Sequence, residues 1–283
     1  MSKSLVLTTQ PPVIWSTEDL AALRWAHRHL EHPSLAARLS NVVGTPFDRA
    51  FKLLPLSWHK RLRRGVEGVL LRLLEGVVGS MQRLPPHPAH NAMHRALVMG
   101  TGAAGGFFGP AAVLAELPVT TALMLRSIAD IAHSEGEDLS SLEARLACLE
   151  VFALGGRSDE DDAAETGYYG LRLALALHFS HVSNYGVGTT VPGMLRFVQA
   201  IAARFGVVIA DKAALQAVPV VGAATGGGLN LLFLQHFQNV ARGHFILRRL
   251  ERSHGMVVVR EEYERLAGEE ARKAVPFSTM EGW

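Results

Sequence analysis

Two stretches stand out among those without a charged side chain: the 19 residues 97–115, and the 29 residues 213–241 with His236 counted as neutral. Each reaches the roughly 20 residues that cross a bilayer as a helix. The fold must therefore hide two long uncharged segments, in its own core or in lipid. Composition weighs against a permanent span. The first run holds Gly102, Gly105, Gly106 and Gly109 before Pro110; the second holds Pro219, Gly222, Gly226, Gly227 and Gly228 along with Asn230, Gln235 and Asn239. Segments rich in Leu, Ile and Phe insert far better. A buried core hairpin fits best, and conditional or shallow insertion and a true span stay open beside it.

The two runs also resemble each other. Gly102-Ala-Ala-Gly-Gly is answered by Gly222-Ala-Ala-Thr-Gly-Gly, and each arm leads into a helical pattern that ends in a polar turn, Ser134-Glu-Gly136 and Ser253-His-Gly255. Glycines four apart, as in Gly102/Gly106 and Gly222/Gly226, let two helix backbones approach closely. The expected fold is all-α: a multi-helix bundle with two Gly-rich apolar helical hairpins packed centrally.

Helical spacing elsewhere supports that class. Ser16 or Thr17 can cap a helix whose first turn carries Glu18 and Asp19. Further helices are expected over 34–44 and 45–54, and a long one over 57–84 with an apolar stripe through Leu62, Val66, Val69, Leu70 and Leu73. Helices are also expected from a start over Glu137–Ser140 to an end at Gly155-Gly156, through Leu171 to Phe179, and from Pro192 to Phe205, where Gly206 should stop the last. Val207–Ile209 and Met256–Val259 are the only strand-like runs, too few for a sheet. The domain reading is a disordered lead over 1–15, an N-terminal helical region over 16–84, a helical core over 90–268 and a loose tail over 269–283. Leu84-Pro-Pro-His-Pro is the best linker.

Charge is unevenly spread. Residues 1–100 hold 13 Lys/Arg and 6 Asp/Glu, net +7; residues 101–170 hold 3 and 12, net −9; residues 171–283 hold 12 and 8, net +4. Such a chain can neutralise itself on folding, or present its basic part to an anionic surface. Lys60, Arg61, Arg63 and Arg64 fall largely off the apolar stripe of the long helix and are the membrane-surface candidates. Lone Cys148 forms no internal disulfide and suits a reducing compartment. The first residues show no signal-peptide pattern, so a cytoplasmic location is expected, peripheral at the inner face of the cell membrane.

Polar residues in apolar surroundings are the candidate binding residues: Glu116, Arg126, Asp130, Asn230, His236 and His244. Arg126 and Asp130 lie one helical turn apart and share a face. His236 and His244, eight residues apart, roughly share another and can titrate near neutral pH. Each also has an ordinary structural explanation, as a buried ion network or as a hydrogen-bonded core histidine. Glu135, Glu137 and Asp138 lack calcium-loop spacing and read as a solvated turn. His178 and His181 lack a zinc-site context, and no metal or cofactor is expected. Gly100-x-Gly102-x-x-Gly105 has no preceding strand and carries no dinucleotide reading. No nucleophile elbow or phosphate loop occurs, and the basic residues lack the interleaved aromatics of a nucleic-acid reader.

Two blocks carry a family resemblance. F-F-G-P-A-A-V-L-A-E-L-P-V-T-T-A-L-M-L-R-S-I-A-D-I-A, followed by S-E-G-E-D-L and L-A-C-L-E-V-F-A-L-G-G, resembles the central block of the EcsC family. R-F-G-V-V-I-A-D-K-A-A-L-Q-A-V-P-V-V-G-A-A from Arg204 and H-F-Q-N-V-A-R-G-H-F from His236 resemble its C-terminal part. The likeness runs from about residue 20 to 250. It implies a bacterial protein and a membrane context, because the family takes its name from a protein encoded beside an ABC transporter linked to secretion. It brings no catalytic residues. The expected function is a membrane-associated binding or accessory module, linked to transport or secretion. Its expected partners are an anionic membrane surface and a transporter or other membrane protein, with self-association open and no nucleic acid. The alternative is a hydrolase acting on a lipid or other amphiphile, with the histidines and Glu116 as acid–base groups.

Overall fold

The structure, a computed structural model, describes residues 15–31, 56–81, 110–156, 167–183, 190–216 and 219–274. Among these, eight helices and no strand occur: α1 (Thr17–Glu31), α2 (Leu56–Met81), α3 (Pro110–Ser134), α4 (Leu142–Leu154), α5 (Tyr168–Ser183), α6 (Thr190–Gln216), α7 (Pro219–His254) and α8 (Met256–Ala274). The all-α bundle expected from the spacing is what forms. The linker at 84–88, the helices expected over 34–44 and 45–54, and the first Gly-rich run up to Gly109 lie outside the described residues. So does the packing of two Gly-rich arms against each other.

Local signals act where the sequence places them. Ser16 Oγ accepts the Asp19 N–H at 2.9 Å, and Ser141 Oγ accepts the Ala144 N–H at 3.1 Å, each satisfying a donor that a helix start leaves free. Both polar turns end their helices as expected. Gly136 (φ 82°) and Gly255 (φ 90°) take the left-handed conformation that glycine adopts without steric cost, closing α3 and α7.

Helix α7 is the spine. Its 36 residues span about 54 Å, and it packs on α1, α3, α4, α6 and α8. Helix α4 is enclosed by α3, α5, α6 and α7. That explains a sequence apolar on nearly all sides, with Ala144, Leu146–Leu149 and Val151–Leu154 all buried. Phe152, Phe205 and Phe237 meet at the junction of α4, α6 and α7, ring centroids 4.6–5.5 Å apart.

Three expectations change. Gly206 does not stop α6, which continues through Val207–Ile209 to Gln216. Gly206 instead lies inside α6 where it passes α2, and a Cβ there would meet Arg63 at an ordinary contact distance of 3.5 Å. The second strand-like run, Met256–Val259, is the first turn of α8. The acidic turn after α3 is not solvated throughout: Glu137 is buried under Arg248 and Arg252, and Glu135 accepts from Arg249. One described helix is long and apolar enough to cross a membrane, over Gly193–Leu215 in α6, with half of that window buried inside the bundle. It begins 20 residues before the second charge-free run and overlaps it only at its end.

Candidate functional site

The six polar candidates are dealt out to different neighbours. Glu116 on α3 forms a buried ion pair with Lys212 on α6, and the Lys212 ammonium also sits 5.9 Å from the Phe233 ring centroid. Burial pulls the Lys212 pKa down, while the Glu116 carboxylate opposes the shift. Arg126 and Asp130 pair at 3.7 Å along α3 and stay partly exposed. Asn230 is fully buried on α7. One His236 ring nitrogen lies 2.8 Å from the Gly155 carbonyl at the end of α4. His244 reaches the other way, with Nδ1 2.8 Å from the Tyr168 hydroxyl on α5.

His244 opens onto a cluster whose other members the sequence did not nominate. Helix α5 is fixed at its start by Glu31, whose carboxylate accepts the Tyr168 N–H at 3.1 Å and the Tyr263 hydroxyl at 2.8 Å. A carboxylate there also suits the positive end of the helix. Tyr168 and Arg172, four residues apart, then face α7. Arg172 Nη1 donates to both Glu251 oxygens at 2.7 and 2.8 Å, and the Tyr169 hydroxyl donates to Glu251 at 3.0 Å. The same Nη1 lies 3.4 Å from the Tyr168 oxygen.

These contacts fix a direction. Burial, then Arg172 and Arg248, push the His244 pKa well below its usual value, so the ring is neutral and carries one N–H. Burial raises the Tyr168 pKa, so its hydroxyl keeps its proton. Arg172 can only donate to Tyr168, Tyr168 donates to Nδ1, and the imidazole proton therefore sits on Nε2. Nε2 faces Glu150 Oε2 on α4 across 3.8 Å, too far for a hydrogen bond. Burial pushes the Glu150 carboxyl up to about 7, against the pull of Arg172 and Arg248. No donor among the described residues reaches that carboxyl.

Glu150 also lines a pocket of about 480 Å³ between α4, α5, α7 and α8. Leu142, Leu146 and Ala147 from α4, Leu173 and Ala176 from α5, and Met256 from α8 form its apolar side. Arg172, Arg248 and Arg260 form the polar side, with Glu143 and Tyr169. Of the six nominated residues none lines this pocket, although His244 sits directly behind Glu150. A signal for Glu150 existed: it is a carboxylate inside the apolar run L-A-C-L-E-V-F-A-L, the same kind of oddity that marks Glu116. Arg172, Arg248 and Arg260 had no local signal, because three separate helices bring them together. No group of His, Cys, Asp or Glu that could hold a metal occurs among the described residues.

The basic candidates form a second feature. Leu62, Val66, Val69 and Leu70 bury the apolar stripe of α2 against α3 and α6, which turns Lys60, Arg61, Arg63 and Arg64 outward. All four are exposed, and none is paired with a carboxylate among the described residues. The Arg61 guanidinium stacks 5.7 Å from the partly exposed Trp58 ring. His59, Lys60 and Arg63 line a cleft of about 260 Å³ with Ala203, Gly206 and Val207 of α6.

Helical layers around a spine, a buried polar cluster under an apolar pocket and a basic face without carboxylate partners among the described residues together define an all-α bundle with a ligand-sized surface pocket. The chain belongs to the EcsC protein family, whose model matches residues 18–250. No curated protein and no solved structure matches it. The matched span contains Glu150, Tyr168, Arg172, His244 and Arg248, and ends before Glu251 and α8.

Proposed function

We propose that this protein is a helical binding or accessory module that docks peripherally on the anionic cytoplasmic face of a membrane through α2. The observation that carries the reading is the exposed set Lys60, Arg61, Arg63 and Arg64, left without carboxylate partners among the described residues. At the turn after α3 the chain neutralises itself: Glu135 and Glu137 take up Arg248, Arg249 and Arg252. The basic excess of the N-terminal third is not consumed in this way on α2. Trp58 beside Arg61 adds a ring suited to the headgroup level. The membrane context implied by the family resemblance fits an accessory to a transport or secretion assembly. In this reading Glu116, Arg126, Asp130, Asn230, His236 and His244 are polar groups of the helical core behind the docking face.

The test is co-sedimentation with vesicles of phosphatidylcholine, with and without phosphatidylglycerol. Binding should require the anionic lipid and fall with salt. Each basic residue near such a surface contributes about 1 kcal/mol, so the quadruple glutamine variant of Lys60, Arg61, Arg63 and Arg64 should bind at least about 100-fold more weakly. Equal binding of variant and native protein would remove the electrostatic docking. A second reading, a hydrolase acting on a lipid or other amphiphile, is favoured by one observation: His244 lies behind Glu150 at the base of the pocket. It requires turnover of a long-chain ester that His244→Gln abolishes.

A further inference from the structure

We infer that the pocket between α4, α5, α7 and α8 binds a single-chain amphiphile with a carboxylate head, the chain lying along Leu146, Leu173 and Met256 and the head held by Glu150 beside the Arg172 and Arg248 guanidinium groups. This deepens the proposed binding role but rests on a different face from α2. Loss of vesicle binding and loss of pocket binding would be separate results.

The pocket volume lies in the range of small-molecule sites, which are mostly apolar with a few converging polar groups. The apolar side is unusual for its exposure. Leu142, Leu173 and Met256 are 48%, 60% and 56% exposed, and all three line the same pocket. Large apolar side chains gathered at one concave site mark a place where something apolar binds.

The polar side decides the head. Arg172 spends Nη1 on Glu251 and Tyr168, Arg248 spends Nε and Nη2 on Glu137 and Glu143, and Arg260 spends Nε on Glu264. The remaining guanidinium N–H groups have no acceptor among the described residues. Arg260 is anchored over the Tyr169 ring at 5.9 Å, at the pocket edge. Glu150, deeper in, has no donor or acceptor partner among the described residues, and burial keeps its proton on up to about pH 7. Three guanidinium groups thus bring unspent donors to the lining, against unspent acceptor oxygens on Glu143 and Glu150. A carboxylate offers acceptors alone and matches the donors; an ammonium offers donors alone and meets three guanidinium groups.

Protonated Glu150 can donate one hydrogen bond to the ligand carboxylate; ionised Glu150 repels it. The charged or titratable groups around it are Glu143 on α4, Tyr168, Tyr169 and Arg172 on α5, His244, Arg248 and Glu251 on α7, and Arg260 on α8. The arginines keep their charge, His244 stays neutral, and the two tyrosines keep their protons across the neutral range. Burial lifts the Glu150 carboxyl to about 7.

The experiment is calorimetric titration of the full chain with dodecanoate below its micelle concentration, with dodecyltrimethylammonium as a chain-matched control. Dodecanoate should bind one to one at about pH 6, and weaken about tenfold by about pH 8 as Glu150 loses its proton. The ammonium should bind at least about tenfold more weakly at either pH. Glu150→Gln, which keeps a donor and cannot ionise, should bind dodecanoate with a flat pH dependence. Ala176→Trp should fill the chain site and abolish binding with the helical circular-dichroism signal intact. If that variant does not fold, Leu173→Glu at an exposed position takes its place. No binding by the native chain, equal binding of the two amphiphiles, or undiminished binding by the folded pocket variant each overturns the assignment. A pH slope that persists in Glu150→Gln overturns the part given to Glu150.

Discussion

Replacing Glu150 by glutamine should make the protein more stable at neutral and alkaline pH and leave it unchanged in acid. An ordinary glutamate titrates near 4.5, and burial moves the Glu150 carboxyl to about 7. Between these values the folded chain holds a proton that the unfolded chain has released. Stability therefore falls as pH rises through this window, and levels off above it. At about 1.4 kcal/mol per decade of proton activity, the full window amounts to about 3 kcal/mol. The side chain is only 12% exposed, so solvent screens little of it. Glutamine has no proton to lose and nearly the same shape, and no donor among the described residues depends on the carboxylate. Urea unfolding of both proteins at about pH 4 and about pH 8 isolates the effect, because every other titrating group is shared. The curves should coincide at the lower pH and separate by about 3 kcal/mol at the higher, or about 6 °C in Tm. Parallel behaviour across the whole range would show that Glu150 is solvated and ionised, and would refute the burial argument and the donor role built on it.

Two further outcomes follow from the packing. Lys212→Met leaves the Glu116 carboxylate alone in the core and should cost about 3–5 kcal/mol in urea unfolding, whereas the double change with Glu116→Leu should recover most of the loss. A double variant as unstable as the single would mean that the pair contributes through shape rather than charge. Gly156→Ala would place a Cβ 2.9 Å from the backbone carbonyl of Arg204. The close partner is backbone inside α6 rather than a flexible side chain, so a loss of about 1–3 kcal/mol is expected, and a neutral result would mean that the contact is loose.

The basic amphipathic pattern of α2 was legible because both of its faces are written within one helix: the apolar stripe finds the core and the arginines take what remains. Helix ends were legible for the same reason. Ser16 before α1, and the glycines after α3 and α7, act on backbone groups within a few residues. Gly206 was misread because its neighbour is Arg63, 143 positions away in sequence, and no local pattern carries that contact.

The candidate site divides along the same line. Sequence alone marked His244 and Glu116 as polar groups in apolar surroundings, and burial followed from that composition. It could not pair them, because partner choice depends on helix crossings and on which face of α7 meets which neighbour. One turn of α7 presents His236 to the end of α4, and two turns later His244 meets Tyr168. The class of the fold, its helix ends and its basic face belong to short-range periodicity and backbone chemistry. The buried Glu150, the arginines around it and the pocket they share exist only where four helices converge, since desolvation and hydrogen-bond partnership are properties of packed neighbours rather than of a segment.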